Sequence, residues 1–183
     1  MQHQMDWNGF RQATAHAAAH GARLGRAGLI AVARALATDE DRWRALVRHD
    51  PQRRWFVRLH ATPSVEAWLI TWTTAQGLEL HDHGGSCGAV SVVEGELTED
   101  YTDLVGGVPL RRNSWRRGSV VTFGPDHVHD LRNLSPHPAT SIHVYSPPLS
   151  SMTFYERDAA ERLIPTRIEC VGASTGAAAR LHQ

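Results

Sequence analysis

The sequence predicts a mainly β protein, an antiparallel sandwich or barrel with a small helical annex at its N-terminus. Short segments rich in Val, Ile, Thr and aromatic residues follow one another closely after Pro51, separated by clusters of Gly, Pro, Asp or Ser. This is the pattern of many short antiparallel strands. Before Pro51 the apolar residues recur at helical spacing instead. A chain of 183 residues is long enough for one domain with its own core.

The predicted helical annex spans residues 22–50. Apolar residues recur at helical spacing through 26–37, which predicts a first helix. Thr38, followed three residues later by Asp41, has the pattern of an N-cap that opens a second helix. Residues 1–21 show no clear period, so we expect a flexible N-terminal segment there.

The predicted barrel spans residues 51–170. The segments with strand composition are 55–60, 67–73, 89–93, 97–102, 119–123, 128–131, 141–145 and 152–155. Strands this short and this closely spaced favour an antiparallel architecture, with the helices as an annex to it. Residues 171–183 are rich in small residues and are expected to form a flexible tail.

Composition and charge exclude several classes of function. The chain has 19 basic and 19 acidic residues, and every basic residue is Arg. Without Lys, Schiff-base catalysis and pyridoxal phosphate attachment are excluded. A net charge of zero gives no reason to expect nucleic acid or a membrane surface as partner. Cys87 and Cys170 are too few for a disulfide framework, and no apolar run approaches the roughly 20 residues of a membrane span. We expect a cytoplasmic protein; the oligomeric state is not fixed by the sequence, and a monomer is favoured.

The 12 histidines are the most informative residues, because they are unevenly placed. His81 and His83 flank a single residue, and on a strand residues i and i+2 face the same side. His127 and His129 offer a third imidazole. Three neutral imidazoles that converge inside a barrel make a transition-metal site with open coordination positions.

The surroundings of these histidines resemble the two paired metal-binding motifs of the cupins. The first motif covers 77–95, begins and ends on Gly, and contains His81-Asp82-His83. The second covers 118–133 and places Asn133 four residues after His129. The resemblance implies a cupin β-barrel, jelly-roll-like and antiparallel.

A third stretch is more specific. Residues 141–148 read Ser-Ile-His-Val-Tyr-Ser-Pro-Pro, which is similar to the Ser-x-His-x-Tyr-Ser-Pro-Pro signature of the thiol dioxygenases in the cysteine dioxygenase family. The resemblance covers about residues 55–155 and implies Fe²⁺ as the cofactor. The iron ligands that it implies are His81, His83 and His129. His127 is the alternative third ligand, but only His129 has the motif's Asn at the correct distance.

The chemistry of this ligand set predicts an anionic substrate, of which a thiol is one option. The usual cupin set adds a Glu five residues after the second His, and that position is Gly88 here. An Fe²⁺ held only by neutral ligands keeps an uncompensated double charge and open positions. An anionic bidentate substrate, binding through a thiolate and an amine, would balance that charge and leave a place for O₂.

A small amino thiol acid also carries a carboxylate, which a planar guanidinium binds bidentately. Arg58 lies where the resemblance places the carboxylate-binding residue. Arg53 and Arg54 are close competitors, because the alignment needs a small gap at this point.

The signature stretch also implies a catalytic row on one strand face. Its members are Tyr145, His143 and Ser141. The Tyr hydroxyl would face the substrate, and the other two side chains would hold it by hydrogen bonds. Many animal members cross-link a Cys at the place of Gly88 to this Tyr. Cys87 is one residue away and should face the other side of its strand, so we predict no thioether. By resemblance, the Ser146–Pro147 bond is expected to be cis.

The sequence therefore predicts an iron-dependent dioxygenase that adds both atoms of O₂ to the sulfur of L-cysteine, giving cysteine sulfinic acid. The nearest alternative is the same reaction on 3-mercaptopropionate or another small thiol, and Arg58 favours cysteine. An alternative of another class is a non-catalytic cupin that binds zinc or a small ligand as a sensor. A cupin isomerase without metal would not need three converging histidines.

Overall fold

The computed structural model describes residues 23–104 and 109–171, in which two antiparallel sheets follow a pair of short helices. The helices are α1 (Arg26–Thr38), α2 (Glu40–Trp43) and a 3-10 helix (Arg44–Leu46). The strands are β1 (Phe56–Ala61), β2 (Glu66–Trp72), β3 (Gly77–His81), β4 (Cys87–Glu94), β5 (Glu96–Asp103), β6 (Arg111–Arg116), β7 (Val120–Phe123), β8 (His127–Arg132), β9 (Ala139–Ser146), β10 (Ser151–Arg157) and β11 (Leu163–Cys170). The predicted mainly β, antiparallel fold with N-terminal helices is confirmed. The flexible segment predicted at 1–21, and all of the predicted tail except its first residue, lie outside the described residues.

The two sheets enclose an interior between them. One sheet has the strand order β1-β2-β9-β4-β7, and the other has the order β11-β10-β3-β8-β5-β6. Every residue of the central strand β9 is buried. Because successive side chains on a strand point to opposite faces, β9 presents Ile142 and Val144 to one side and Ser141, His143 and Tyr145 to the other.

Helix α1 covers the outer face of the five-stranded sheet. Leu29, Val32 and Leu36 recur at helical spacing and are buried in one apolar cluster with Ile142 and Val144 of β9. Burying each of these side chains contributes about 1.5–3 kcal/mol. The helix therefore closes one face of β9, and the opposite, polar face lines the interior.

The second predicted helix begins differently from the expectation. Thr38 is the last residue of α1, and its hydroxyl donates to the carbonyls of Arg34 and Ala35 at 2.9 and 3.2 Å. Its side chain is therefore engaged with the preceding turn and is not an N-cap, so that prediction was wrong. Asp39 separates the two helices, and α2 is only four residues long before the 3-10 turn. Hydroxyls commonly bond back to the i−4 carbonyl within a helix, which competes with capping.

Three strands were missing from the sequence prediction: β3, β6 and β11. β6 and β11 are exposed at most of their positions, whereas β3 buries its last two residues. The helices of the described residues are also short, and none is long and apolar enough to cross a bilayer.

Candidate metal centre and substrate pocket

Three histidines converge in the interior where β3 lies against β8. His81 ends β3 and pairs directly with His129 of β8, and His83 follows two residues beyond the strand end. The ring centroids of the three are 4.8 to 5.1 Å apart. One nitrogen of each lies within 4.8 Å of the others, and all three side chains are buried. The structure thus brings together the three residues that the motifs implied as ligands.

These imidazoles are held in the neutral form. Burial lowers the pKa of His81 and of His83 well below 6.5, and the neighbouring His129 lowers both further. Burial also lowers the pKa of His129, although the Glu99 carboxylate partly opposes this. A neutral imidazole keeps the free electron pair that a metal needs.

Hydrogen bonds fix two of the three rings. His81 donates from Nδ1 to the Glu79 carbonyl at 2.6 Å, and His129 donates from Nδ1 to a Glu99 carboxylate oxygen at 2.7 Å. Each then presents Nε2 to the interior. Both ring nitrogens of His83 are buried without a hydrogen-bond partner among the described residues. A buried orphaned imidazole nitrogen costs free energy unless it binds something, so this donor set fits a metal ion.

Glu99, on β5, is a functional residue that the sequence did not reveal. Its carboxylate accepts hydrogen bonds from His129 Nδ1, His127 Nε2 at 3.1 Å and Trp115 Nε1 at 2.7 Å. These donors hold the pKa of Glu99 far below its ordinary value of 4.5 against the opposing effect of burial. The alternation of β5 puts Glu99 on an inner face, but only the pairing of β5 with β8 brings it to His129.

His127 lies on the other side of that carboxylate. Within the described residues it groups with Glu99 and His129, and it does not join the cluster with His81 and His83. Its Nδ1 faces Asp103 at 3.8 Å. The alternative third ligand therefore occupies a position where it orients Glu99.

Asp82, between His81 and His83, holds this segment against β10 by hydrogen bonds. Its carboxylate accepts from the backbone N–H groups of Gly84 and Thr153 at 3.0 Å each, and from the Tyr155 hydroxyl at 2.7 Å. These bonds lower the pKa of Asp82 even though burial opposes them. The turn that carries His83 is thereby held against the neighbouring strand.

A hydrogen-bonded row crosses the inner face of β9. Trp72 Nε1 donates to Ser141 Oγ at 2.9 Å, Ser141 Oγ lies 2.9 Å from His143 Nε2, and His143 Nδ1 lies 3.2 Å from the Tyr145 hydroxyl oxygen. The indole can only donate. No other acceptor for the buried Ser141 hydroxyl is found among the described residues. The Ser141 O–H therefore donates to His143 Nε2, because the opposite direction would leave that hydroxyl proton without an acceptor. His143 Nδ1–H then donates to Tyr145, whose own O–H is free to donate into the pocket.

The protonation states of the row agree with this direction. Burial lowers the pKa of His143 to about 3, and the neighbouring His129 and Arg54 lower it too. Burial raises the pKa of the Tyr145 phenol, and the Glu66 carboxylate raises it further. The ring of Tyr145 lies 5.6 Å from that of His83, centroid to centroid. A neutral phenol therefore faces the metal cluster.

Arg54 reaches the pocket from the segment before β1. Its guanidinium carbon lies 4.9 Å from the centre of the Trp72 ring, and its Nη1 donates to the Gly77 carbonyl at 3.3 Å. Its Nε is buried and has no hydrogen-bond partner among the described residues. Burial lowers the pKa of Arg54 to about 10, and its charge acts on both His143 and Tyr145. Within the described residues, Arg54 is thus a partly unsatisfied cation beside the hydrogen-bonded row of β9.

Arg58 lies farther from that row. It sits on β1 opposite Trp68 of β2, with its guanidinium carbon 5.5 Å from that ring's centre. Trp68 in turn pairs with His143, so Arg58 shares the inner face but is two strands away from β9. Of the competing arginines, Arg54 has the better position for a substrate beside Tyr145, and the role of Arg58 stays a prediction.

No thioether was predicted at Gly88, and an aromatic ring fills the space beside that residue. Gly88 pairs with both Tyr145 and Phe123, and a Cβ added at Gly88 would lie 2.2 Å from Phe123 Cζ. Cys87 packs with the apolar cluster beneath α1, on the opposite face of the sheet from Tyr145. The Ser146–Pro147 bond is cis, as the resemblance implied.

Comparisons with known proteins agree with this geometry. A family model described as cysteine dioxygenase type I matches residues 19–158. Cysteine dioxygenase type 1 of Danio rerio is 29% identical over 97 residues, an alignment that covers 49% of this chain and 48% of the relative. The chain thus matches about half the length of that relative.

Solved structures show the same fold at low identity. An uncharacterised Klebsiella pneumoniae protein with a double-stranded β-helix domain is 18% identical with a TM-score of 0.51, over 62% of this chain and 94% of that one. A Thermus thermophilus protein is 20% identical with a TM-score of 0.50, over 57% and 92%. These likenesses confirm the barrel predicted from the sequence.

Proposed function

Because the chain belongs to the cysteine dioxygenase type I family, we propose that it is an iron(II)-dependent dioxygenase that oxidises the sulfur of L-cysteine to the sulfinic acid. The observation that carries the proposal is the buried cluster of three neutral histidines beside a hydroxyl row. His81, His83 and His129 would hold the iron. When bound, the iron supplies the site at which a thiolate and O₂ react.

The charge of the cluster supports a thiol substrate. All three histidines are neutral, and Glu99, whose carboxylate contacts one of them, accepts the Nδ1–H of His129. A doubly charged cation in a buried pocket needs an anionic partner, because an uncompensated buried charge is costly. The thiolate of the substrate provides that anion.

The chain's own residues bind and orient the substrate. Arg54 offers a buried Nε–H that has no hydrogen-bond partner in the part of the chain that the structure describes, which suits a carboxylate. Tyr145 donates its O–H into the pocket, held by His143 and Ser141. The Trp72 ring stacks against the Arg54 guanidinium, and its Nε1–H donates to Ser141. One side chain therefore contacts both the proposed carboxylate-binding residue and the hydrogen-bonded row that ends at Tyr145.

The overall reaction balances without another reductant. A thiol and O₂ give a sulfinic acid: the O–O bond breaks, two S–O bonds form, and the thiol proton stays on the product. The sulfur loses four electrons and O₂ gains four. The substrate sulfur supplies all four electrons, so the reaction needs no reducing cofactor.

The test is oxygen consumption by the iron-loaded protein. Apoprotein loaded anaerobically with Fe²⁺ is mixed with O₂ and either L-cysteine or 3-mercaptopropionate, and the sulfinate is quantified. We expect one sulfinate per O₂, with a preference for cysteine, and loss of turnover in H83A. Greater turnover of 3-mercaptopropionate would replace the substrate. Tight zinc binding without oxygen consumption by the iron form would favour the non-catalytic alternative.

A further inference from the structure

His83 differs from the other two members of the metal cluster in how its ring is held. His81 and His129 each donate Nδ1–H to a fixed acceptor, the Glu79 carbonyl and the Glu99 carboxylate. His83 has no hydrogen bond at either nitrogen among the described residues, and it lies beyond the end of β3. Metal-binding histidines are ordinarily oriented by a hydrogen bond from the second nitrogen. Something else must therefore set the orientation of His83.

The ring that contacts His83 most closely is Phe123 of β7. The two rings stack with centroids 4.4 Å apart and an interplanar angle of 25°. Phe123 also stacks on His127 at 5.2 Å and 18°. His127 is itself fixed by Glu99, at 3.1 Å from Nε2. A continuous set of contacts thus runs from the Glu99 carboxylate through two aromatic rings to His83.

Phe123 can take this position only because residue 88 is glycine. A Cβ there would lie 2.2 Å from Cζ and below 3.0 Å from both Cε atoms of the ring. Any larger residue at position 88 must displace the ring tip. Gly88 and Phe123 are directly paired between β4 and β7, so the ring cannot avoid the clash by a shift in register.

We propose that Phe123 is a positioning residue that holds the imidazole of His83 in its metal-binding orientation, and that Gly88 provides the space for it. Stacking on Phe123 does for His83 what a hydrogen bond does for His81 and His129. The same ring lies 6.2 Å from that of Tyr145, so it also packs the catalytic phenol. The inference rests on the metal site of the proposed function.

The test measures binding of Co²⁺ to the apoprotein by visible absorption, with no substrate present. F123L removes the ring and keeps an apolar side chain. The matched control is F154L, because Phe154 is also buried and its ring lies 5.7 Å from that of His81, a ligand that Glu79 already fixes. We expect F123L to weaken Co²⁺ binding about 10- to 100-fold, as for other groups that orient a ligand, and F154L to weaken it less than about 3-fold.

A second variant keeps the proposal testable if F123L does not fold. G88A adds one methyl group, which pushes the ring tip, and should weaken Co²⁺ binding in the same range. In an F123L background, G88A should weaken Co²⁺ binding by less than about a further 2-fold, because the ring that the methyl group would displace is already gone. Denaturation of each apoprotein separates metal affinity from fold stability.

The outcomes separate the inference from the proposed function. Equal losses in F123L and F154L, or independent effects of G88A and F123L, would overturn the role of Phe123 while the metal site stands. A wild-type protein that binds no Co²⁺ would overturn the metal site itself, and the role of Phe123 with it.

Discussion

Replacing Arg54 with Gln should reduce the activity toward L-cysteine far more than replacing Arg58 with Gln. The guanidinium of Arg54 is buried, and its Nε has no hydrogen-bond partner among the described residues. It lies close enough to the hydrogen-bonded row of β9 for its charge to act on Tyr145. Arg58 instead lies against Trp68, two strands from that row. The variants R54Q and R58Q form a matched comparison, because each removes one arginine that stacks on a tryptophan and faces the same interior.

The magnitude follows from the contacts that a carboxylate would make. Hydrogen bonds to charged groups contribute about 1.5–3 kcal/mol each, so losing the Arg54 interaction should cost about 3 kcal/mol of transition-state binding. That corresponds to roughly a 100-fold decrease in kcat/KM. For R58Q the loss is that of one cation–π contact, about 0.5–1 kcal/mol, or a decrease of no more than about 5-fold.

The assay compares two thiols that differ in the carboxylate. Steady-state sulfinate formation is measured with L-cysteine and with cysteamine, which has the thiol and the amine only. R54Q should lose its 100-fold with cysteine and change less than about 3-fold with cysteamine. An R58Q defect that exceeds that of R54Q with cysteine, or an R54Q defect of equal size with both thiols, would refute the assignment.

Three further predictions concern the row on β9 and the cysteine beside it. Y145F should lower kcat/KM for cysteine by about 10- to 100-fold with an unchanged fold, because it removes one phenol donor worth about 1.5–3 kcal/mol; kinetics with no loss would contradict this. Burial lowers the pKa of His143 to about 3, so the folded protein excludes a proton that the unfolded chain binds below pH 6.5. Stability therefore falls as the pH drops through 6.5. Between pH 7.5 and 5.5, the free energy of unfolding measured in urea should fall by about 1.4 kcal/mol more for the wild-type apoprotein than for H143Q. Parallel pH profiles of the two proteins would be inconsistent with a buried neutral imidazole. The intact mass should equal that of the sequence, because Cys87 faces away from Tyr145; a mass lower by two hydrogens would reveal the thioether.

The spacing of residues along a strand made much of the site predictable from the sequence. Ser141, His143 and Tyr145 share one face of β9, as alternation predicts. The i, i+2 spacing also predicted that His81 and His83 converge, although His83 lies two residues beyond the end of β3. The rule needs only local sequence, and the motifs supplied the third ligand. The position of Cys87 followed from the same alternation.

The residues that orient these groups depend on tertiary pairing and could not be predicted in the same way. Glu99 reaches His129 only because β5 pairs with β8. Arg54 precedes β1, where no strand period constrains a side chain, and its position depends on the packing against Trp72. The position of Phe123 beside the metal cluster depends on the pairing of β7 with β4, which places this residue opposite Gly88.

The strands that were missed lack a clear strand pattern for different reasons. Arg, Asn and Ser dominate β6, Pro165 interrupts β11, and β3 is only five residues long and begins on Gly77. Their pairing with buried neighbours keeps them in the sheet. Thr38 illustrates the opposite error, since a side chain that can cap a helix can equally bond within the preceding turn.

The proposed function requires both oxygen atoms of one O₂ to be transferred to the sulfur of cysteine at a site formed by His81, His83 and His129. Mass spectrometry of the product formed under ¹⁸O₂ measures this transfer, using Fe²⁺-loaded protein and L-cysteine. We expect cysteine sulfinate that is four mass units heavier, with both oxygens labelled, and no such product from H83A. A product with one labelled oxygen, cystine as the sole product, or an equal yield from H83A would disprove the proposed function.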